Sequence, residues 1–381
     1  MKSPDLGIER IKYVIAIASG KGGVGKSTIA TNLAVALQKT GNKVGLLDAD
    51  IYGPSQPGML GSQGERPDTS GGFLKPINKF GVSFISMGLL LDAKSPVIWR
   101  APMAMKMIHQ FLGQVEWGQL DFLLIDLPPG TGDVQLTLAQ QAQLSGAVIV
   151  TTPQEVALDV ARKGLRMFQQ VNVPILGVIE NMSGFICSHC HEETAIFDTG
   201  GGERLADEYD VPLLGTLPLD PAIMKSGDSD TPIVVVAEAE GNDSPSAKAF
   251  IKLAEVLHQR VEKVESEISA NEPLSIKTDS EKNLIMTWPD GHQSKHSGYY
   301  LRLNCACAQC VDEDSGRKLI DSKKVPLDIK TTSVSPVGRY GLAVAFSDGH
   351  NTGIFAFNRL RKLCECEDCK KGKIDQKSFS I

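Results

Sequence analysis

The chain has 381 residues, 42% of them hydrophobic and 22% charged, with a net charge of −6. That length sets two domains as the expectation, and the composition is that of a globular protein able to build a sizeable core. The mild acidity supplies no global pull toward nucleic acid or anionic lipid, and no apolar run reaches the 18 residues a membrane-spanning helix needs.

Residues 1–12 lack the apolar core of a signal peptide and the Arg/Ser bias of a transit peptide, so the expected location is cytoplasmic. An organelle form already freed of a transit peptide is the alternative. All eight cysteines fall in three tight groups: Cys187/Cys190, Cys305/Cys307/Cys310 and Cys364/Cys366/Cys369. Disulfide frameworks space their cysteines to staple distant segments in oxidising compartments. Close groups in a cytoplasmic chain read instead as thiolate ligand sets.

From residue 13 to about 261, apolar β-branched runs of strand length alternate with helical stretches. The first run, 14–18, leads into Gly20-Lys21-Gly22-Gly23-Val24-Gly25-Lys26-Ser27-Thr28 and then a helix over 27–40. A run at 44–47 ends in Asp48-Ala49-Asp50, and the Gly-, Ser- and Pro-rich stretch 55–72 reads as a mobile loop. Strands follow at 82–86, 122–125, 147–150 and 175–179, with helices at 103–112 and 155–171. This pattern predicts an α/β P-loop NTPase domain over 1–268, with a mostly parallel sheet covered by helices on both faces.

A helix over 244–268 closes that domain, and the polar stretch 269–280 reads as a linker. Residues 281–381 form a small α+β domain with strands at 283–288 and 340–346, a helix at 357–363 and six of the eight cysteines. A weak repeat runs through it. Asp290-Gly291-His292 stands before Cys305-x-Cys307-x-x-Cys310, and Asp348-Gly349-His350 before Cys364-x-Cys366-x-x-Cys369, with almost the same spacing. Two related half-units are expected.

The loop 20–28 fits G-x-x-x-x-G-K-[ST] and sits between a strand and a helix, as phosphate binding requires. Its backbone N–H groups and the helix N-terminus attract phosphate; Lys26 reaches the β/γ-phosphates and Ser27 can ligate Mg²⁺. Gly22, Gly23, Gly25 and Thr28 complete the nucleotide cradle. Asp126, ending the strand at 122–125, has the place of a carboxylate that holds Mg²⁺ through water. Cys187-x-x-Cys190 alone fits a zinc site with His189 or His191 nearby, a redox dithiol, or half of an iron–sulfur site. Fe–S clusters take four ligands. One such pair supplies two, and the matching patch of a symmetric partner supplies the rest.

Several of these stretches together resemble the Mrp/ApbC-type iron–sulfur carrier ATPases of the MinD/ParA superfamily, over about residues 13–261. They are 19–28, 48–55 (Asp-Ala-Asp-Ile-Tyr-Gly-Pro-Ser), 99–103, 126–137, Glu180-Asn181-Met182-Ser183, 187–190, 200–205 and Leu217-Pro218-Leu219-Asp220. The resemblance implies an ATP-dependent homodimer in which Lys21 crosses to the partner's nucleotide. It implies that Asp50 positions the attacking water, that Asp48 supports the metal, that 128–133 senses the γ-phosphate and that Asn181 reads adenine. Cys187 and Cys190 of each protomer are implied to bridge a [4Fe–4S] cluster. That cluster is received from upstream assembly proteins and passed to client apoproteins, with no membrane or nucleic-acid partner.

The stretch from about 274 to 370 resembles the N-terminal domain of gamma-butyrobetaine hydroxylase. The resemblance rests on Trp288-Pro289-Asp290-Gly291-His292, on 301–310 (Leu-Arg-Leu-Asn-Cys-Ala-Cys-Ala-Gln-Cys) and on Ser347-Asp348-Gly349-His350. It implies zinc held by Cys305, Cys307, Cys310 and one histidine, His350 being preferred and His292 the alternative. Nothing here resembles the hydroxylase's catalytic iron domain. The combination is similar to the plastid high-chlorophyll-fluorescence type of carrier, which has a further small domain before the P-loop; here residues 1–12 precede the first strand. Cys364, Cys366 and Cys369 fit a second zinc site with His292, an auxiliary cluster site, or a mobile thiolate tail. Two rival functions stand beside the carrier: a MinD/ParA-like positioning ATPase, and a zinc-stabilised interaction protein with weak ATPase.

Overall fold

The computed structural model describes residues 7–369 apart from 9, 52, 91–100, 131, 187–192, 198, 242–243, 308, 313–316, 338–340 and 367–368. The chain divides into two compact units that meet at Val264 and Glu265.

In chain order the first unit runs β1 (Tyr13–Ser19), α1 (Lys26–Lys39), β2 (Val44–Asp48), α2 (Gln56–Met59), β3 (Ile77–Lys79) and β4 (Val82–Ser86). It continues with α3 (Ala101–Gly113), β5 (Phe122–Asp126), α4 (Asp133–Gln141), β6 (Gly146–Thr151), α5 (Glu155–Gln170), β7 (Ile175–Ile186) and β8 (Glu193–Thr194). It ends with α6 (Gly201–Glu208), β9 (Leu213–Leu219), α7 (Pro221–Asp228), α8 (Ile233–Ala239) and α9 (Pro245–Asn271), whose last residues cross into the second unit.

Among the described residues, nine strands form one sheet in the order β3-β4-β2-β5-β1-β6-β7-β8, with β9 also paired to β7. Only β3 and β8 run antiparallel to their neighbours. Every residue of β1, β2, β5 and β6 is buried. Strands apolar on both sides need cover on both faces, and that is why their sequences read as unbroken apolar runs. The helices between strands supply the cover. In α5, Ala157, Leu158, Ala161, Leu165 and Phe168 recur at helical spacing and are all buried. Adjacent parallel strands bring their carboxyl ends to one edge, where Asp48 and Asp126 lie in register. That edge is where an open α/β sheet binds ligands.

Three expectations are corrected. The stretch 55–72 is not featureless: it carries α2, and Gln56 at the start of α2 is fully buried. The strand expected to end at 179 runs on to Ile186, turning at Met182, whose φ of 58° accompanies a register shift against β9. Alternation alone could not foresee that turn, because a positive φ is uncommon outside glycine. The linker 269–280 is largely structured. It holds the last turn of α9 and the edge strand β10 (Ser275–Thr278), paired antiparallel with β11 (Leu284–Thr287). An edge strand tolerates the polar composition that made this stretch read as a linker.

The second unit continues with β12 (Gln293–His296), α10 (Gly298–Leu303), β13 (Thr331–Val337), β14 (Gly341–Phe346), β15 (Gly353–Ala356) and α11 (Phe357–Lys362). It contains two three-stranded antiparallel sheets, β10-β11-β12 and β13-β14-β15. Each sheet is followed by a short helix and a Cys-x-Cys-x-x-Cys group, so the weak sequence repeat is a structural one. Leu284, Met286, Trp288, Leu301, Leu342, Val344, Phe355 and Leu360 form the core, together with Cys305 and Cys310.

Candidate functional site

The phosphate loop leaves β1 at Ser19 and enters α1 at Lys26. Two glycines are fixed there by contact. A Cβ on Gly20 would lie 2.5 Å from the Val160 carbonyl carbon of α5, and one on Gly25 would lie 2.2 Å from the Asn181 amide nitrogen. Asn181 Nδ2 donates to the Val24 carbonyl at 2.9 Å, which brings β7 onto the loop. Gly22 and Gly23 are exposed, as backbone that must face phosphate should be.

Lys26 is buried and pairs through Nζ with Asp126 Oδ1, while Ser27 Oγ lies 3.4 Å from the same Nζ. Ammonium, hydroxyl and carboxylate therefore converge on one spot. Asp126 Oδ2 accepts from Gln56 Nε2 at 2.9 Å. Asp48 is wholly buried: Oδ1 accepts from the Asp50 backbone at 3.1 Å, and Oδ2 accepts from Ser86 Oγ at 2.7 Å and the Gln56 backbone at 3.3 Å. Burial, reinforced by the charge of Asp126, pushes the Asp48 carboxyl up to about 8. With both oxygens engaged by protein donors, Asp48 buttresses Asp50 and Gln56 from behind. Asp50 accepts from the Gly53 backbone at 3.2 Å and is buried, two residues beyond the end of β2. Lys21 donates to Gln154 Oε1 at 3.4 Å, beside the start of α5.

Gln56 was not singled out in the sequence. It ties the Asp126 strand end to the phosphate loop and to α1: its amide donates to Asp126 and, at 3.2 Å, to the Ser27 carbonyl, and it accepts from Thr31. Its only sequence signal was its place directly after Asp48–Ser55.

Cys187 and Cys190, with His189 and His191, lie outside the described residues, as do Trp99, Arg100 and Thr131. The flanks of the cysteine pair are described. β7 and β8 pair antiparallel, with Ile186 opposite Glu193, so the chain entering and leaving 187–192 is held at its base.

In the second unit, Cys305, Cys307, Cys310 and His350 present ligand atoms within 4.8 Å of one another. His350 Nε2 lies 3.3, 3.5 and 3.8 Å from the three sulfurs in turn. A tetrahedral ion with Zn–S of about 2.3 Å and Zn–N of about 2.0 Å sets N···S near 3.5 Å, so the donor set fits a single Zn²⁺. His292, the alternative ligand, is not in this group. Arg302 donates to Cys310 Sγ at 3.1 Å and to Asp348 Oδ2 at 2.7 Å, and Asp348 accepts from the His350 backbone at 3.0 Å, so the ligands are themselves held. None of the six described cysteines is in a disulfide.

A mostly parallel sheet with this loop at its carboxyl edge defines a P-loop ATPase. The chain belongs to the ParA family: the model of the NUBPL iron-transfer P-loop NTPases matches residues 10–258. A second model, gamma-butyrobetaine hydroxylase-like N-terminal, matches residues 276–361. The chain is 51% identical over 255 residues to the iron-sulfur cluster carrier protein of Aquifex aeolicus, covering 66% of this chain and 69% of that one. It is 51% identical over 259 residues to the iron-sulfur cluster carrier protein of Synechocystis, covering 67% and 72%. Among solved structures, the nucleotide-binding protein of Archaeoglobus fulgidus in complex with ADP is similar, with a TM-score of 0.55 and 40% identity over 64% of this chain and 93% of that one. Both resemblances drawn from the motifs hold. Among the described residues, no helix is long and apolar enough to cross a membrane.

Proposed function

We propose that the chain is an ATP-dependent carrier of a [4Fe–4S] cluster, acting as a homodimer. Cys187 and Cys190 of each protomer hold the cluster as cargo, and the nucleotide decides when it is held and when it passes to client apoproteins. The observation that carries this reading is β7. The strand places Asn181 on the phosphate loop and runs on to Ile186, the residue before Cys187. The phosphate loop thus touches a strand, paired on both sides, whose last residue directly precedes Cys187 in the chain.

In this reading Lys26 exchanges Asp126 for the β/γ-phosphates, Asn181 meets adenine, and Lys21 leaves Gln154 for the partner's nucleotide. Asp50 orients the attacking water, held in place by Asp48. Ser27 and Asp126 would hold Mg²⁺, which neutralises phosphate charge when bound. The set Cys305, Cys307, Cys310 and His350 would hold Zn²⁺ for folding rather than catalysis, since four protein ligands leave no open position.

The test is anaerobic reconstitution followed by Mössbauer spectroscopy and iron analysis. One cluster per two chains is expected. Cys187→Ser and Cys190→Ser should lose it while keeping nucleotide binding. Full cluster occupancy in either variant would overturn the bridging model.

A further inference from the structure

The second unit holds another set of converging ligands. Cys364, Cys366, Cys369 and His292 present their ligand atoms within 4.8 Å of one another. His292 Nε2 lies 3.2 Å from Cys364 Sγ, 3.8 Å from Cys366 Sγ and 3.6 Å from Cys369 Sγ. These separations bracket the N···S edge of about 3.5 Å that a tetrahedral zinc with Cys and His ligands imposes. Each iron of a four-iron cluster takes its own protein ligand, which spreads the ligands much farther apart than this set allows.

The arrangement has a further regularity. The three cysteines follow α11 in the second half-unit, whereas His292 sits in the β11–β12 turn of the first. The other set is the converse: Cys305, Cys307 and Cys310 follow α10 in the first half-unit, and His350 sits in the β14–β15 turn of the second. The supporting ion pairs are exchanged in the same sense. Arg302 of α10 pairs with Asp348 and lies over the Phe346 ring, at 6.0 Å from its centroid. Arg361 of α11, itself buried, pairs with Asp290 and lies over the Trp288 ring, at 5.4 Å.

We infer that the second unit binds two zinc ions, and that each is completed by the histidine of the opposite half-unit. The second ion is held by Cys364, Cys366, Cys369 and His292. Each metal is thereby a cross-tie between half-units rather than a clip within one. The repeated Asp-Gly-His turn and Cys-x-Cys-x-x-Cys group are the two ends of those ties. Because a structural zinc contributes its binding energy to folding, the two ions hold the two small sheets together.

The test is a Co²⁺ titration of the full chain carrying Cys187→Ser and Cys190→Ser, so that the third cysteine group contributes nothing. The readout is thiolate–Co²⁺ absorption, with a chelator competing. Two tight equivalents per chain are expected; saturation at one would overturn the inference without any further variant. Paired substitutions then read which histidine serves which cysteines. Cys305→Ser with His350→Ala strikes one site and should leave one ion. Cys305→Ser with His292→Ala strikes both and should leave none. The reverse pattern would mean that each half-unit closes its own site, and would refute the exchange. Cys366→Ser, at a partly exposed ligand, is the gentler lesion at the second site. If both it and His292→Ala retain two ions at wild-type chelator resistance, the second ion is not held by this set and the inference is overturned. Loss of one ion only on His350→Ala would leave the first site standing alone.

Discussion

Gln56 donates from Nε2 to Asp126 Oδ2 across 2.9 Å, and both side chains are fully buried. The same glutamine offers its backbone N–H to Asp48 and its amide to the Ser27 carbonyl. One residue thus fixes the two strand-end carboxylates against the phosphate loop. Gln56→Leu keeps the volume and removes the donors. Leaving a buried acceptor unsatisfied costs about 1–3 kcal/mol. The variant should lose roughly that much stability in denaturant unfolding, and its ATP turnover should fall about tenfold if the misplaced carboxylate loses a comparable interaction in the transition state. Unchanged stability and turnover would show that the amide is dispensable.

Lys26 and Asp50 should separate binding from turnover. Lys26→Ala removes the cation aimed at phosphate and strands Asp126, whose partner lies within a pair of 6% and 0% side-chain exposure. Breaking a buried pair from one side typically costs about 3–5 kcal/mol. ATP binding should vanish by calorimetry and the melting temperature should fall. Asp50→Asn should bind ATP normally and hydrolyse it slowly, because Asp50 only orients water in this scheme. Equal loss of affinity in both variants would refute the division.

The carboxyl of Asp48 gives the first unit a pH dependence of definite sign. Burial, with the charge of Asp126 beside it, raises this carboxyl from the ordinary 3.8 to about 8 in the folded state. Between those values the folded state binds more protons than the unfolded one, so this group's contribution declines as pH rises from about 4 to about 8. The stability of wild type relative to Asp48→Asn, followed by urea midpoints from pH 5 to 8.5, should therefore fall with rising pH. A flat or rising difference would mean that Asp48 is ionised throughout.

Removing metal should act on one unit. With zinc chelated, the full chain should lose the cooperative unfolding transition of residues 265–381 and keep that of the nucleotide-binding unit, which has its own core. Differential scanning calorimetry with and without chelator distinguishes this from a metal-independent second unit, in which both transitions would persist.

The parts of the molecule that could be read from sequence are those in which local chemistry dictates local shape. A strand, a glycine-rich loop and a helix in succession leave few alternatives for 14–40, and unbroken apolar runs at 44–47, 122–125 and 147–150 can only be strands covered on both sides. The Cys-x-Cys-x-x-Cys groups announced ligand sets in the same way. What stayed hidden depended on contacts between distant residues. A lone glutamine after a Gly–Pro–Ser stretch gives no periodic signal, so Gln56 read as loop. The turn of β7 at Met182 directly follows Asn181, whose amide is bonded to the phosphate loop, a contact 157 residues away along the chain. The polar strand β10 exists because Leu284–Thr287 offers it an edge, and nothing within 269–280 itself says so. The preference for His350 over His292 beside Cys305, Cys307 and Cys310 rests on the resemblance, and the structure groups those four although His292 is nearer along the chain.

Gly20 and Lys21 are consecutive, yet they are attached to α5 by unequal means. Gly20 is seated against the helix backbone so closely that even a methyl group would collide with it. Lys21 reaches the start of the helix through a single long hydrogen bond to Gln154, at 3.4 Å. Releasing such a bond costs on the order of 1 kcal/mol or less, whereas moving Gly20 would mean unseating a helix. The lysine can therefore swing outward as a hinged arm while the loop behind it keeps its form. In the proposed dimer, a partner arriving at this face would meet a loop backbone already shaped, and Lys21 could turn to it without disturbing that loop.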